Sequence, residues 1–403
     1  MFFTLEVRRA RKGDCLILHY GSQDDPGLAL IDGGPASVYK LQLQPRLLEL
    51  RKARALDPDA PLPVDLLMVS HIDDDHINGL LELTRELVRA KDAQQPLPLK
   101  IRGVWHNTFD DIIGNRPKEL TAAVQFGPAS LSGDTNIDGL NPDVAKVLAS
   151  VPKGSRLRDD TRKLNLRINP EFQGKLVLAK AKDKKIDMGK DLKFTVVGPM
   201  NAEVVALQKK HDKFLLEKKQ KEKSVLAAFT DTSVANLSSV VVLAEVGKKR
   251  MLLTGDARGD KVLEGLELVG LLKKDGKSTI HVDILKGPHH GSNRNVEQIF
   301  FERITADHYV FSGNGEHGNP QRETLEMLLA ARGDTNDYTV HLTYPIDKID
   351  ANRKKHHQKH SSKPWSPKKQ SLAALLTANK KFARKIVIVD ETKPHLINLL
   401  DDL

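Results

Sequence analysis

The sequence predicts an α/β fold, on three observations. Short apolar runs recur along the chain and stop at Gly, Pro or Asp, a buried-strand pattern. Stretches of helical length separate several of them. At three places, after Val69, Leu253 and Leu285, an apolar run gives way abruptly to His and Asp. In layered α/β folds, groups that bind ligands gather where strands end and loops begin.

The elements follow in chain order. Residues 2–7 alternate, 15–20 are a short apolar run, and 28–31 run into Asp32-Gly33-Gly34-Pro35, so three strands are expected. A helix is expected over 41–55, a strand over 64–69 and a helix over 80–90. Residues 101–105 read as a strand. Residues 110–190 are weakly patterned and rich in turn formers, with one helix near 143–150, and read as an insertion over the core. A strand at 192–197 is closed by Gly198-Pro199. A charged helix is expected within 203–225, centred on 208–223, either as a solvated face or as a grip on nucleic acid. Strands at 239–245, 250–253, 282–285 and 308–311 follow. The basic stretch 347–369 reads as a mobile linker, and 385–389 as a last strand. The expected organisation is one large domain over 1–345, with 346–403 a basic linker and a C-terminal strand and helix appended to it.

Composition narrows the function. The chain has 403 residues, 39% of them hydrophobic and only 5% aromatic, so its core rests on Leu, Val and Ile. Its formal net charge is +10, which suits polyanionic partners such as nucleic acid, nucleotides or an anionic membrane surface, with a solvated basic surface as the equal alternative. A lone cysteine, Cys15, excludes an internal disulfide and a cysteine zinc knuckle. Any metal must therefore be held by His and carboxylates. The first residues are too short and too charged for a signal peptide. No run of about eighteen apolar residues occurs, so no membrane-spanning segment is expected, and the expected compartment is the cytoplasm.

The segment 70–79 carries the strongest chemistry. It packs His71, Asp73, Asp74, Asp75 and His76 into six residues. Three adjacent aspartates repel one another unless cations neutralise them. Imidazole and carboxylate together suit zinc, manganese or iron. His71 and Asp73 could share one metal, and Asp75 and His76, a turn further on, a second. Asp256 ends Leu-Leu-Thr-Gly-Asp, where the preceding Gly255 permits a sharp bend, and its carboxylate could bridge two cations. His289 and His290 lie between Gly287-Pro288 and Gly291-Ser292. One is expected to bind metal and the other to face substrate or donate a proton.

His71-Ile-Asp-Asp-Asp-His76 resembles the H-x-H-x-D-H signature of the metallo-β-lactamase superfamily, with Asp73 in place of the second histidine. Ile31-Asp32-Gly33-Gly34 resembles its first motif, Thr254-Gly255-Asp256 its bridging aspartate, and Pro288-His-His-Gly-Ser292 its last histidine motif. Together with Gly313-Asn-Gly-Glu-His317-Gly-Asn-Pro320, these motifs resemble the hydrolase domain of competence-type DNA-uptake channel proteins, the ComEC/Rec2-like branch, over roughly residues 5 to 330. The resemblance implies an αββα four-layer sandwich with the insertion near 110–190. One departure stands out: Asn236 occupies the place of a further histidine ligand, and His106, at the end of the strand 101–105, is the candidate to compensate.

The function implied is that of a metal-dependent hydrolase holding two divalent ions, zinc first, with manganese or iron as alternatives. The metal ligands would be His71, Asp73, Asp75, His76, Asp256, His289 and His290. A metal-activated water would attack the substrate, oriented by Asp75. His290, His317 and Lys286 would contact the leaving group or phosphate oxygens. Asp32 would support a ligand histidine, with Asn236 and His106 beside it. The expected substrate is a phosphodiester in nucleic acid or a nucleotide. The alternatives are hydrolysis of a small ester, lactone or thioester, and a binding or regulatory module with a degenerate metal site.

Overall fold

A computed structural model describes residues 1–57, 59–107, 142–182, 184–205 and 238–401, with the backbone alone over 142–152. Two large sheets dominate. The first has six strands: β1 (Phe2–Val7), β2 (Leu16–Gly21), β3 (Pro26–Ile31), β5 (Leu66–Met68), β7 (Val104–Trp105) and β16 (His395–Asn398). The small strands β4 (Leu62–Val64) and β6 (Leu99–Ile101) pair with each other instead. The second large sheet has eight strands: β8 (Ile186–Gly189), β9 (Leu192–Gly198), β10 (Val241–Val246), β11 (Lys249–Leu253), β12 (Ile280–Lys286), β13 (Ile304–Phe311), β14 (Thr339–Leu342) and β15 (Ile386–Ile388). They lie side by side in the order β15-β14-β13-β12-β11-β10-β9-β8.

Leu5, Leu18, Ala29, Met68 and Trp105 of the first sheet pack against Phe194, Val242, Met251, Ile284 and Val310 of the second. The remaining faces are covered by helices. On the other face of the first sheet, Ile17, Leu28, Leu30 and Leu67 meet Leu47, Leu80, Leu83, Leu87 and Leu157 from the helices Gln44–Ala53, Asp74–Asp92 and Pro142–Lys163. On the second sheet, Leu252, Leu285 and Phe311 meet the helices Gly259–Leu268, Gln298–Arg303 and Arg322–Arg332. Burial of these Leu, Val and Phe side chains, each worth about 1.5–3 kcal/mol, is what holds the layers together.

Several sequence expectations shift at their ends, and two change character. The apolar run 64–69 is two strands, because Asp65 turns the chain: its carboxylate accepts from the Tyr20 hydroxyl at 2.8 Å and the Leu28 amide at 3.2 Å. The run 101–105 splits in the same way between β6 and β7. The helix read as 80–90 begins at Asp74, so Asp73 is its N-cap residue and Asp74 and Asp75 lie in its first turn, where the positive helix end offsets their charge. The basic stretch read as a linker forms the helix Ile346–His360. That helix is fixed to the loop after β13: the Asn352 amide donates to Asn314 O at 2.9 Å, and Arg353 Nε to Gly318 O at 3.1 Å. Of the insertion, residues 108–141 lie outside the described residues. The helix Pro142–Lys163 packs on Asp74–Asp92, with Thr84 Oγ1 donating to Asp160 at 2.8 Å. The charged helix expected at 208–223 also lies outside the described residues.

Candidate metal centre

The parallel pairings β3–β5 and β11–β12–β13 align the C-terminal ends of these strands within each sheet. Asp32 follows β3, Ser70 to His76 follow β5, Asp256 follows β11, His289 and His290 follow β12, and Ser312 follows β13. Asp14, just before β2, joins them. Asp14, His76, Asp256 and His290 are all buried, and each offers a nitrogen or carboxylate oxygen within 4.8 Å of the others, a group that could hold a metal ion.

Two imidazoles form the middle of the site. His76 and His290 stack with ring centroids 5.2 Å apart. Their Nε2 atoms lie 3.1 and 3.3 Å from Asp256 Oδ1. No hydrogen bond is aligned across these gaps, and His76 Nε2, His290 Nε2 and Asp256 Oδ1 are all buried without a hydrogen-bond partner. Unpaired buried polar atoms cost about 1–3 kcal/mol each, and a shared cation would satisfy all three. Asp75 Oδ2 stands 3.9 Å from His290 Nε2. The other Asp256 oxygen, Oδ2, is 3.6 Å from His289 Nε2. His71, with its ring centroid 5.8 Å from that of His76, has Nε2 at 3.3 Å from Asp73 Oδ2.

Behind the rings the hydrogen bonding is complete. His76 Nδ1 lies 2.8 Å from Asp32 Oδ2. Asp32 also accepts from the Ser70 amide at 2.7 Å and from the Ser70 hydroxyl. His290 Nδ1 is 3.2 Å from Ser312 Oγ and 3.5 Å from Asp14 Oδ1. Asp14 thus lies on the Nδ1 side of both rings, with Oδ2 at 4.0 Å from His76 Nδ1.

The backbone is bent to suit. His289, His290 and Gly291 have φ of 45°, 55° and 84°. Left-handed geometry at a non-glycine residue costs about 1–3 kcal/mol, and the surroundings enforce it. His289 N donates to Gly255 O at 3.1 Å, Gln321 N and Thr324 Oγ1 to Gly291 O at 3.0 and 2.7 Å. Gly255 has φ of 50°, and a Cβ there would lie 2.9 Å from Ser70 Oγ.

The electrostatics show a demand for positive charge. Burial pushes the Asp256 carboxyl up, but His76, His290 and His289 outweigh it and hold it well below the ordinary range. Burial pulls His76 down, yet Asp256 and Asp32 raise it well above the usual imidazole value. His71 is raised because Asp73 overcomes burial. At His289 burial wins and the imidazole is lowered. The raised values at His71 and His76 mark the positive charge that the surrounding carboxylates favour.

The structure thus brings together His71, Asp73, Asp75, His76, Asp256, His289, His290 and Asp32 from the sequence-derived set. Lys286 is 1% exposed and donates to Asp14 at 2.8 Å, beneath the site rather than open to a substrate. His317 is exposed, its Nε2 3.2 Å from Lys12 Nζ. His106 is buried, with its backbone held on both sides by Asn169, and is not one of the four converging residues. Asn236 lies outside the described residues. Sequence reasoning missed Asp14 and Ser312, whose contact spans 298 positions in the chain.

No family model matches the chain. Among curated proteins, microtubule-associated protein 1A of Rattus norvegicus is 28% identical over 116 residues, 28% of this chain and 4% of that protein. The Homo sapiens protein of that name is 27% identical over 123 residues, 30% of this chain and 4% of that protein. The chain therefore spans only a small part of the length of these curated relatives. Among solved structures, a protein of Parabacteroides distasonis provisionally named a metal-dependent hydrolase is similar over 84% of this chain and 97% of that one, at 9% identity and a TM-score of 0.29.

Proposed function

We propose that the chain is a metal-dependent hydrolase of the metallo-β-lactamase type that cleaves phosphodiesters. The observation that carries this reading is the Asp256 carboxylate, whose two oxygens face different histidines: Oδ1 meets His76 and His290, and Oδ2 meets His289. That geometry suits a bridging carboxylate between two cations. His76, His290 and Asp75 would hold one, and His71, Asp73 and His289 the other. The His and carboxylate donors fit zinc, with manganese or iron as alternatives. The order of helices, sheet, sheet and helices supports the αββα reading.

Cations bound there would acidify a water and neutralise charge building on the substrate. The chain's own groups supply the rest. The Asp75 side chain is 15% exposed, and on this reading it orients that water. Asp32 and Ser70 keep the proton on His76 Nδ1, so that Nε2 presents its lone pair. The His289 side chain is 30% exposed, against 2% for His290. Lys12 Nζ lies 3.2 Å from His317 Nε2. Lys153 pairs with Asp74 and feels both Asp73 and Lys12. With the net charge of +10, these basic side chains favour an anionic substrate, nucleic acid or nucleotide.

The test is a panel of plasmid, single-stranded DNA, RNA and bis(p-nitrophenyl) phosphate against p-nitrophenyl acetate and a lactone, with zinc- or manganese-loaded protein. Phosphodiester turnover is expected, falling by about 100-fold or more in Asp75→Asn. Turnover of the esters or lactone alone would refute the substrate class.

A further inference from the structure

We propose that Asp14 and Lys286 are positioning residues of the centre: a buried ion pair that holds His290 from behind through Ser312, as Asp32 with Ser70 holds His76. The proposal rests on the reading of the centre as a metal site.

The relay is visible atom by atom. Lys286 Nζ donates to Asp14 Oδ2 at 2.8 Å and to Gly287 O at 3.0 Å. The Ser312 hydroxyl donates to Asp14 Oδ1. With its proton committed to Asp14, Ser312 Oγ can only accept from His290 Nδ1, 3.2 Å away. The Nδ1 atom must then carry the hydrogen, and Nε2 is left with its lone pair towards Asp256 Oδ1 at 3.3 Å. A serine alone could donate or accept, and would leave the ring undecided. The carboxylate behind it removes that choice. The Asp14 amide also donates to Asp75 O at 3.2 Å, and a Cβ on Gly13 would lie 1.8 Å from that oxygen. The segment is therefore pressed against a second residue of the centre.

Stability alone is a poor reason for such a pair. Lys286 and Asp14 are each 1% exposed, and desolvating two ions commonly offsets their attraction, so that apolar substitutes do as well. Charge supplies a reason. An acid is needed behind His290, but an unmatched one would add to an already acidic centre. Lys286 cancels Asp14 and leaves Asp32, Asp73, Asp75 and Asp256, four negative charges, which two divalent cations balance.

The experiment compares wild type with the double variant Asp14→Asn/Lys286→Met, which removes both charges and keeps the volume. Zinc affinity is measured by chelator competition, the cobalt ligand-field spectrum is recorded, and metal-free protein is melted. The expected result is zinc affinity lower by about 10–100-fold, an altered cobalt spectrum, and a metal-free melting temperature that is kept or raised. Unchanged affinity and spectrum would overturn the proposal. If the double variant loses its fold, Ser312→Ala decides, because it leaves the ion pair intact: weaker zinc binding supports the relay, and unchanged binding overturns it. Wild-type protein that takes up no zinc would instead overturn the metal reading itself, a failure seen without any variant.

Discussion

At Asp32 three demands fall on one residue. It turns the chain with φ of 57°, receives the Ser70 amide at 2.7 Å, and holds His76 Nδ1 at 2.8 Å. Asparagine tolerates the left-handed turn and can still accept the amide, but brings no charge to the imidazole. Asp32→Asn is therefore expected to keep the fold and weaken zinc binding by about 10–100-fold, checked by chelator competition beside a thermal melt; equal affinity would contradict the role given to Asp32. Residues of this kind were legible in the sequence when they stood next to a strand end. His71, Asp73, Asp75, His76, Asp256 and the 289–290 pair announced themselves because imidazoles and acids directly after apolar runs have little structural use. Asp14 did not. In Lys12-Gly13-Asp14 an acid beside glycine reads as an ordinary turn, and only the meeting of that turn with the loop after β13 gives it a task. Lys286 misled for a related reason: a lysine near ligands suggests a phosphate contact, and nothing local says that it points inward.

Elements are pinned by contacts that tolerate little change. The helix Asp74–Asp92 meets the turn after β3 through Gly33 and Gly79, where the Gly33 amide donates to His76 O at 2.7 Å. A Cβ on Gly79 would lie 1.9 Å from Gly33 O. Alanine would gain about 1 kcal/mol of helix propensity, but no rotamer relieves a clash with backbone, and overpacking costs about 1–3 kcal/mol. Gly79→Ala is thus expected to lower the melting temperature and shift His76, weakening zinc binding; a more stable variant with full affinity would contradict this packing. At the far edge, His308 Nδ1 meets His341 Nε2 at 3.0 Å, and His341 Nδ1 meets His395 Nε2 at 2.8 Å, tying β13 and β14 to β16 of the other sheet. Burial pushes His341 down to about 3. The unfolded chain takes up that proton near 6.5 while the folded chain does not, so the stability involved is present above pH 6.5 and is lost as pH falls towards 3. Melts from pH 7 to 4 should fall less steeply in His341→Asn than in wild type; parallel slopes would remove His341 as a cause. The sequence pattern located strands β1, β9 and β11 within a residue or so, because their apolar runs are uninterrupted. It missed β14 and β16, four residues each, which are too short to show a period and are fixed by their neighbours.

Over the whole molecule, the two sheets enclose one apolar layer and carry helices on their other faces, and the chain's last segment closes both. β15 pairs with β14 and β16 with β1, so residues 346–401 supply an edge strand to each sheet. Deleting residues 385–401 is expected to expose the unpaired edges of β1 and β14, lower the melting temperature and speed proteolysis of β1; a truncated chain of full stability would contradict that part of the architecture. The alternation of short strands and helices made the α/β class legible, whereas the pairing of the first strand with the last was not, since no local pattern records a contact nearly the length of the chain. On the proposed reading, Asp256 would stand between two cation positions. Anomalous diffraction at the zinc edge from zinc-soaked crystals tests it most directly. Two peaks flanking the Asp256 carboxylate are expected, one against His76 and His290 and one against His71 and His289. No peak there, or peaks only at surface histidines such as His356 and His360, would contradict it.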